Sequence, residues 1–257
     1  MVQRTSGFCQ VIGVTAAWSH DLDYPSPFCY VHRTAVDHRT GLAAPTLFTY
    51  LMGSIFGYLL GSVPTAFLLV RWKSRIDIRK AGSGNVGTLN SFQVSGSKLV
   101  GLAVLALDFA KGFGAVALTS SLPGSDFTVV ACAGVAAVLG HNFPVWLRFH
   151  GGRGLATAAG VFSFLCVPAV GFWGLIWVPG FQVTRNVNVA NTGATLLLMV
   201  ALWVVPGDYW AGLLTVSAST GSFRWFSTAA LLVILLRHMQ PVLQFMRGRN
   251  THRDQEG

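Results

Sequence analysis

A chain of 257 residues with 52% hydrophobic and only 11% charged residues is not a water-soluble globular domain, in which about a quarter of residues carry charge. Its mean hydropathy is +0.54, and apolar runs long enough to cross a bilayer recur along it, so the expected fold is an all-α, polytopic membrane bundle. The net charge of +9 sits in short loops beside those runs, so it reports membrane orientation and not a nucleic-acid partner.

Residues 1–46 hold no apolar run of signal-peptide type followed by a small-residue cleavage site, and they are expected to form a poorly ordered extension. The first span covers 47–70. Gly53, Gly57 and Gly61 recur there every four residues and share a helix face, as in small-xxx-small packing or as ordinary membrane-helix glycine usage. Pro64 is placed to kink the end of this span, beside Ser62 and Thr65. Residues 71–98 then set Arg71, Lys73, Arg75, Arg79, Lys80 and Lys98 against the single acid Asp77, which marks a cytoplasmic loop. Inside it lies Gly82-Ser83-Gly84-Asn85-Val86-Gly87-Thr88-Leu89-Asn90. Glycines let backbone N–H groups converge, and Ser and Asn add short polar handles, so this stretch suits an anion such as phosphate; a flexible linker has the same composition.

The second span, 99–118, carries Asp108 and Lys111 at i and i+3, either a structural ion pair or part of a site. The third, 127–147, places His141 near its inner end. A second basic glycine loop follows, Arg148-Phe149-His150-Gly151-Gly152-Arg153-Gly154, on the same side as the first by span parity. Residues 155–178 are apolar but interrupted by Pro168. One helix there would give six spans and put Arg247, Arg249 and Arg253 outside, against the positive-inside rule. Two short half-spans hinged near Cys166-Val167-Pro168 restore it. A span over 187–205, an outer turn at Pro206-Gly207-Asp208, a short apolar stretch over 210–217 and a last span over 222–236 complete about seven segments. The N-terminus is then outside, and residues 239–257 form a basic cytoplasmic tail after a membrane domain over 47–238.

Gly82 to Gly87 matches G-x-G-x-x-G, but the dinucleotide reading needs a preceding strand and a βαβ unit, and a charged loop and a membrane helix stand there instead. His32 and Asp37 form an H-x4-D pattern on the far side from both glycine loops, which argues for coincidence. No nucleophile elbow, P-loop or metal-ligand spacing occurs, so no metal and no disulfide is assigned.

From Tyr58 to Gly248 the chain resembles the bacterial acyl-phosphate-dependent glycerol-3-phosphate acyltransferases. The first motif is visible in Tyr58-Leu59-Leu60-Gly61-Ser62-Val63-Pro64-Thr65, Asp77-Ile78-Arg79, the glycine loop and Asn90; Leu107-Asp108-Phe109-Ala110-Lys111-Gly112 also fits. The second is Gly140-His141-Asn142-Phe143-Pro144-Val145 with Gly151-Gly152-Arg153-Gly154-Leu155-Ala156-Thr157, and the third is Arg237-His238 with Gly248. The resemblance implies seven segments in the cell membrane and an inner-face site. It also implies acyl transfer from acyl phosphate to glycerol 3-phosphate without coenzyme A, metal or other cofactor, giving 1-acyl-glycerol 3-phosphate and phosphate. Carried onto this chain, it implies Ser83, Arg153 and His238 as catalytic residues. It implies Gly82, Gly84, Asn85, Gly87, Asn90, Lys111, His141, Gly151, Gly152 and Gly154 as substrate and phosphate contacts. Arg153 stands where the family usually has Lys. Further departures are Leu89 for a threonine, Gln93 for a basic residue, His150 for a lysine, Pro241 for an asparagine and Asn250 for a glutamate. A catalytically weak paralogue that binds lipid precursors or a partner, and a small membrane transporter, are the alternative readings.

Overall fold

The structure is a computed structural model that describes residues 8–11, 14–17 and 45–253, with side chains described over 45–247. The chain divides into two units, Met1–Thr40 and Gly41–Gly257. In the first, β1 (Phe8–Val11) and β2 (Val14–Ala17) pair antiparallel, Phe8 opposite Ala17 and Val11 opposite Val14. His32, Asp37 and Asn250 lie outside the residues whose side chains are described.

The second unit is helical. The expected first span is two helices, α1 (Leu47–Ser62) and α2 (Thr65–Ser74). Pro64 removes an N–H and drives Val63 out of the helical region to φ −55°, ψ 117°. The Val63 carbonyl released by the break accepts from the Lys111 ammonium at 3.0 Å. After the loop come α3 (Thr88–Ser95), closed by Gly96, and α4 (Lys98–Ser120), opened by a Ser97 cap whose hydroxyl accepts from the Val100 N–H. Asp126 caps α5 (Phe127–Asn142) in the same way, accepting from the Val129 N–H.

Gly53, Gly57 and Gly61 all face α5. A Cβ on Gly57 would lie 2.2 Å from the Ala133 carbonyl oxygen, and one on Gly61 would lie 2.1 Å from that of Ala137. Backbone meets backbone here, so the glycine stripe is a packing surface. Gly61→Leu is expected to force α1 and α5 apart, at a cost of about 1–3 kcal/mol or more. Its thermal midpoint in detergent should fall well below that of Leu59→Ala, since Leu59 is exposed.

Only one of the two expected half-spans is short. Helix α6 (Leu155–Leu165) has 11 residues, about 16 Å, and ends inside the protein at the fully buried Cys166. Its last carbonyl, that of Leu165, accepts from the Thr215 N–H at 3.1 Å. Helix α7 (Val167–Thr184) has 18 residues, about 27 Å, which is long enough to cross. Pro168 sits in its first turn, where a missing N–H costs nothing, so it starts a helix instead of shortening one. Then follow α8 (Val187–Val204), a short α9 (Gly207–Ala211) and α10 (Thr220–Arg253). Among the described residues six helical stretches are long and apolar enough to cross a membrane, and α6 makes a seventh segment. The last of them does not stop near residue 236: α10 continues through Pro241 to Arg253.

Candidate active site

The first glycine loop is built from its flanks. Asp77 opens a short 3-10 turn, Ile78–Lys80, by accepting from the Arg79 N–H, and it also pairs with the Arg79 guanidinium at 3.0 and 2.7 Å. That pairing holds the Asp77 carboxyl down at about 2. Ile78 is fully buried and pins the turn to the bundle. The chain then reverses through Gly82 (φ +57°) and Gly84 (φ +70°), a left-handed geometry that glycine adopts without strain. Asn90, 1% exposed in the first turn of α3, holds the loop from behind. Its Oδ1 accepts from the Ser83 N–H at 3.0 Å, and its Nδ2 donates to the carbonyls of Asn85 (2.9 Å), Ala81 (3.1 Å) and Ile78 (3.3 Å). Gly82, Gly87 and Asn90 therefore shape the loop, while Ser83, Gly84 and Asn85 present it to a cavity.

The second loop folds back on the end of α5. The Gly151 and Gly152 N–H groups donate to the carbonyls of Asn142 and His141 at 3.2 and 3.1 Å. A Cβ on Gly152 would lie 2.1 Å from His141 Nε2 and 2.6 Å from the Val86 carbonyl oxygen, so the two glycine loops are in direct contact. Arg237 of α10 clamps this loop. Its Nε and Nη2 donate to the carbonyls of Gly152 (3.1 Å) and Gly151 (2.9 Å), and its guanidinium stacks 5.3 Å from the Phe143 ring centre. Gly154 opens α6, and Arg153 donates to Asn188 Oδ1 of α8. Burial, and then the neighbouring Arg237 charge, lower the Arg153 pKa from its ordinary value.

Between the loops and α10 lies a cavity of about 680 Å³. Arg79, Lys80, Arg148, Arg153 and Arg237 line it, and none of its lining residues is Asp or Glu. Such a chamber concentrates anions, and its fork-shaped guanidinium groups match phosphate oxygens. Gln240 and Gln244 complete the α10 wall. The family resemblance assigns neither of these two to the site, nor Arg79, Lys80, Arg148 and Arg237. The spacing of Arg237, Gln240 and Gln244, i, i+3 and i+7, was the available signal, but it means something only once the helix continues past Pro241.

Two expected contact residues, Lys111 and His141, and one expected catalytic residue, His238, lie behind the cavity and do not line it. Lys111 and His141 belong to a buried polar cluster around Asp108. Lys111 Nζ is 2.9 Å from Asp108 Oδ1, the Thr65 hydroxyl donates to the same oxygen, and His141 Nδ1 is 3.6 Å from it. His238 is fully buried against α8. Among the described residues no group of His, Cys, Asp and Glu side chains could hold a metal ion.

The sequence profile of the glycerol-3-phosphate acyltransferases matches residues 51–248. The chain belongs to this family. A glycerol-3-phosphate acyltransferase of Agrobacterium fabrum is 34% identical over 214 residues, 83% of this chain and 96% of that protein. One of Myxococcus xanthus is 43% identical over 161 residues, 62% of this chain and 83% of that protein. The fold is similar to the crystal structure of PlsY, an integral membrane glycerol 3-phosphate acyltransferase, in its glycerol 3-phosphate form. The TM-score is 0.65 at 33% identity, covering 78% of this chain and 94% of that one. The lysophosphatidic acid form of PlsY aligns with a TM-score of 0.64 at 32% identity, over 78% of this chain and 93% of that one. The chain is thus an integral membrane acyltransferase.

Family membership puts the departures in a new light. Leu89 is 48% exposed on α3, Gln93 is exposed one turn further on, and neither lines the cavity. His150 and Pro241 do line it. The substitutions that reach the site are therefore those on the second loop and on α10.

Proposed function

We propose that this chain transfers an acyl group from acyl phosphate to glycerol 3-phosphate, giving 1-acyl-glycerol 3-phosphate and inorganic phosphate. The observation that carries this is the single cavity walled by both glycine loops and by five cations with no carboxylate. Both substrates bring a phosphate to it, and Phe143, Leu147 and Leu236 give it an apolar side toward the acyl chain. The glycerol hydroxyl oxygen bonds to the acyl carbon, the bond from that carbon to the phosphate oxygen breaks, and the hydroxyl proton leaves with the departing phosphate. Ser83 and the first-loop backbone stabilise charge on the acyl oxygen or a phosphate, and Arg153 holds a phosphate in position. No side chain is assigned as a covalent nucleophile. That Leu89 and Gln93 lie away from the cavity supports an active enzyme over a weak paralogue.

The site faces the cytoplasm in this reading, with the N-terminus outside and the protein in the cell membrane. The Arg and Lys bias of residues 71–80 supports that orientation. Donor exchange tests the proposal. Purified enzyme should acylate glycerol 3-phosphate with palmitoyl phosphate and leave palmitoyl coenzyme A untouched; equal rates with both donors would overturn it.

A further inference from the structure

One face of α8 serves both Arg153 and His238. Asn188 and Asn191 stand one turn apart, and the Asn188 amide oxygen accepts from Arg153. Asn191, 8% exposed, sits between Trp177 of α7 and His238 of α10. The Trp177 indole N–H donates to Asn191 Oδ1 at 2.7 Å. Asn191 Nδ2 lies 3.5 Å from His238 Nε2, and His238 Nδ1 lies 2.9 Å from the Ile234 carbonyl oxygen, one turn back on its own helix.

The direction of each bond follows from what each group can do. An indole N–H only donates, so the oxygen of the Asn191 amide must face Trp177 and its NH₂ must face His238. A carbonyl only accepts, so His238 Nδ1 carries a proton. Nε2 then meets a donor and needs its lone pair. An imidazolium would set Nε2–H against the Asn191 NH₂, and flipping the amide to relieve that would turn NH₂ onto the Trp177 N–H. The charged groups acting on His238 are Arg153 from the second loop and Arg237 beside it on α10, both cationic. Helices α7 and α8 offer it Trp177 and Asn191, which do not titrate. Both imidazole nitrogens are therefore engaged by protein, and the ring is fully buried.

We infer that Trp177 and Asn191 lock His238 as a neutral imidazole protonated on Nδ1. His238 is then a positioning residue that seats Arg237 and α10, and it neither gives nor takes a proton in the reaction. The lock stands on this geometry alone; the statement about the reaction rests on the acyl-transfer reading above. A neutral ring also keeps a third cation away from Arg153 and Arg237, leaving their charge for phosphate.

Nitrogen-15 imidazole NMR of the full chain in detergent micelles tests the lock, with the His238 signals assigned by their loss in His238→Gln. The expected result is a protonated Nδ1 and an unprotonated Nε2 from about pH 5.5 to about pH 8. Asn191→Asp places an acceptor toward both neighbours and should shift Nε2 to the protonated position. Trp177→Phe frees the amide to flip and should let His238 titrate inside that window, and it decides the matter if Asn191→Asp does not fold. An unsubstituted protein whose His238 titrates in the window, or carries its proton on Nε2, overturns the inference. Since the readout is a nitrogen shift, a neutral His238 in a protein without acyl transfer would overturn the acyl-transfer reading and leave the lock standing.

Discussion

Arg153→Ala is expected to lower kcat/KM for acyl transfer by about 30- to 5,000-fold, while the protein stays folded. Arg153 joins the two halves of the site. Its backbone belongs to the second glycine loop, its side chain is held by Asn188 of α8, and its guanidinium lines the cavity. Truncating a held, partly buried cation that meets a phosphate costs about 2–5 kcal/mol, and each 1.36 kcal/mol is about tenfold in rate. Arg153→Lys should recover part of the loss, because a lysine keeps the charge but presents a point in place of a planar fork. It also loses the geometry of the bond to Asn188. Steady-state kinetics on the three proteins, with thermal midpoints measured alongside, checks this. A kcat/KM for Arg153→Ala within about threefold of the parent would remove Arg153 from the site, being less than about 1 kcal/mol.

Asp108→Leu is expected to destabilise the protein by about 3–5 kcal/mol, because it leaves the Lys111 ammonium buried without its counter-charge. Asp108 is 1% exposed and Lys111 is 7% exposed, so water cannot replace the lost partner. The double variant Asp108→Leu, Lys111→Met should recover much of the loss, since a buried pair exchanged for apolar groups of similar size is often close to neutral. Recovery should stop short of complete. Lys111 also donates to the Val63 carbonyl, which the Thr65 N–H keeps satisfied, and the charge-assisted bond that methionine cannot make is worth about 1.5–3 kcal/mol. Denaturant or thermal unfolding in a fixed detergent reads all three proteins. If the double variant is no more stable than the single one, the pair is not what holds α4 to the start of α2.

The all-helical, membrane-spanning character was legible because it depends on composition, which acts over whole segments. The glycine face on α1 was legible as a period of four, and its meaning came only from the backbone of Ala133 and Ala137 opposite. The pairing of the two glycine loops followed from span parity. What escaped the sequence reading turns on the local consequences of single residues. Pro168 reads as a breaker in a hydropathy pattern, yet in the first turn it is a good helix starter, so α7 is full length. The apolar run of the last span ends at 236, yet α10 continues through Pro241 and brings Arg237, Gln240 and Gln244 to one wall. Asn90 and His238 are polar residues in motif positions, and a motif does not say which way a side chain points. Asn90 turns inward to four backbone partners, and His238 turns to Asn191 and Ile234.

These placements divide the labour at the site. Ser83, Gly84, Asn85 and Arg153 face the cavity, and Asn90, Lys111, His141 and His238 hold the walls that present them. The first group should therefore govern rate and substrate affinity, and the second should govern stability.

The most direct measurement is phosphate release by the purified protein in proteoliposomes supplied with acyl phosphate and glycerol 3-phosphate, with the lipid product followed in parallel. The account predicts one phosphate released per molecule of 1-acyl-glycerol 3-phosphate formed, dependent on glycerol 3-phosphate. It is contradicted if phosphate release does not exceed that of a Ser83→Ala, Arg153→Ala double variant, or if phosphate appears without the acylated product.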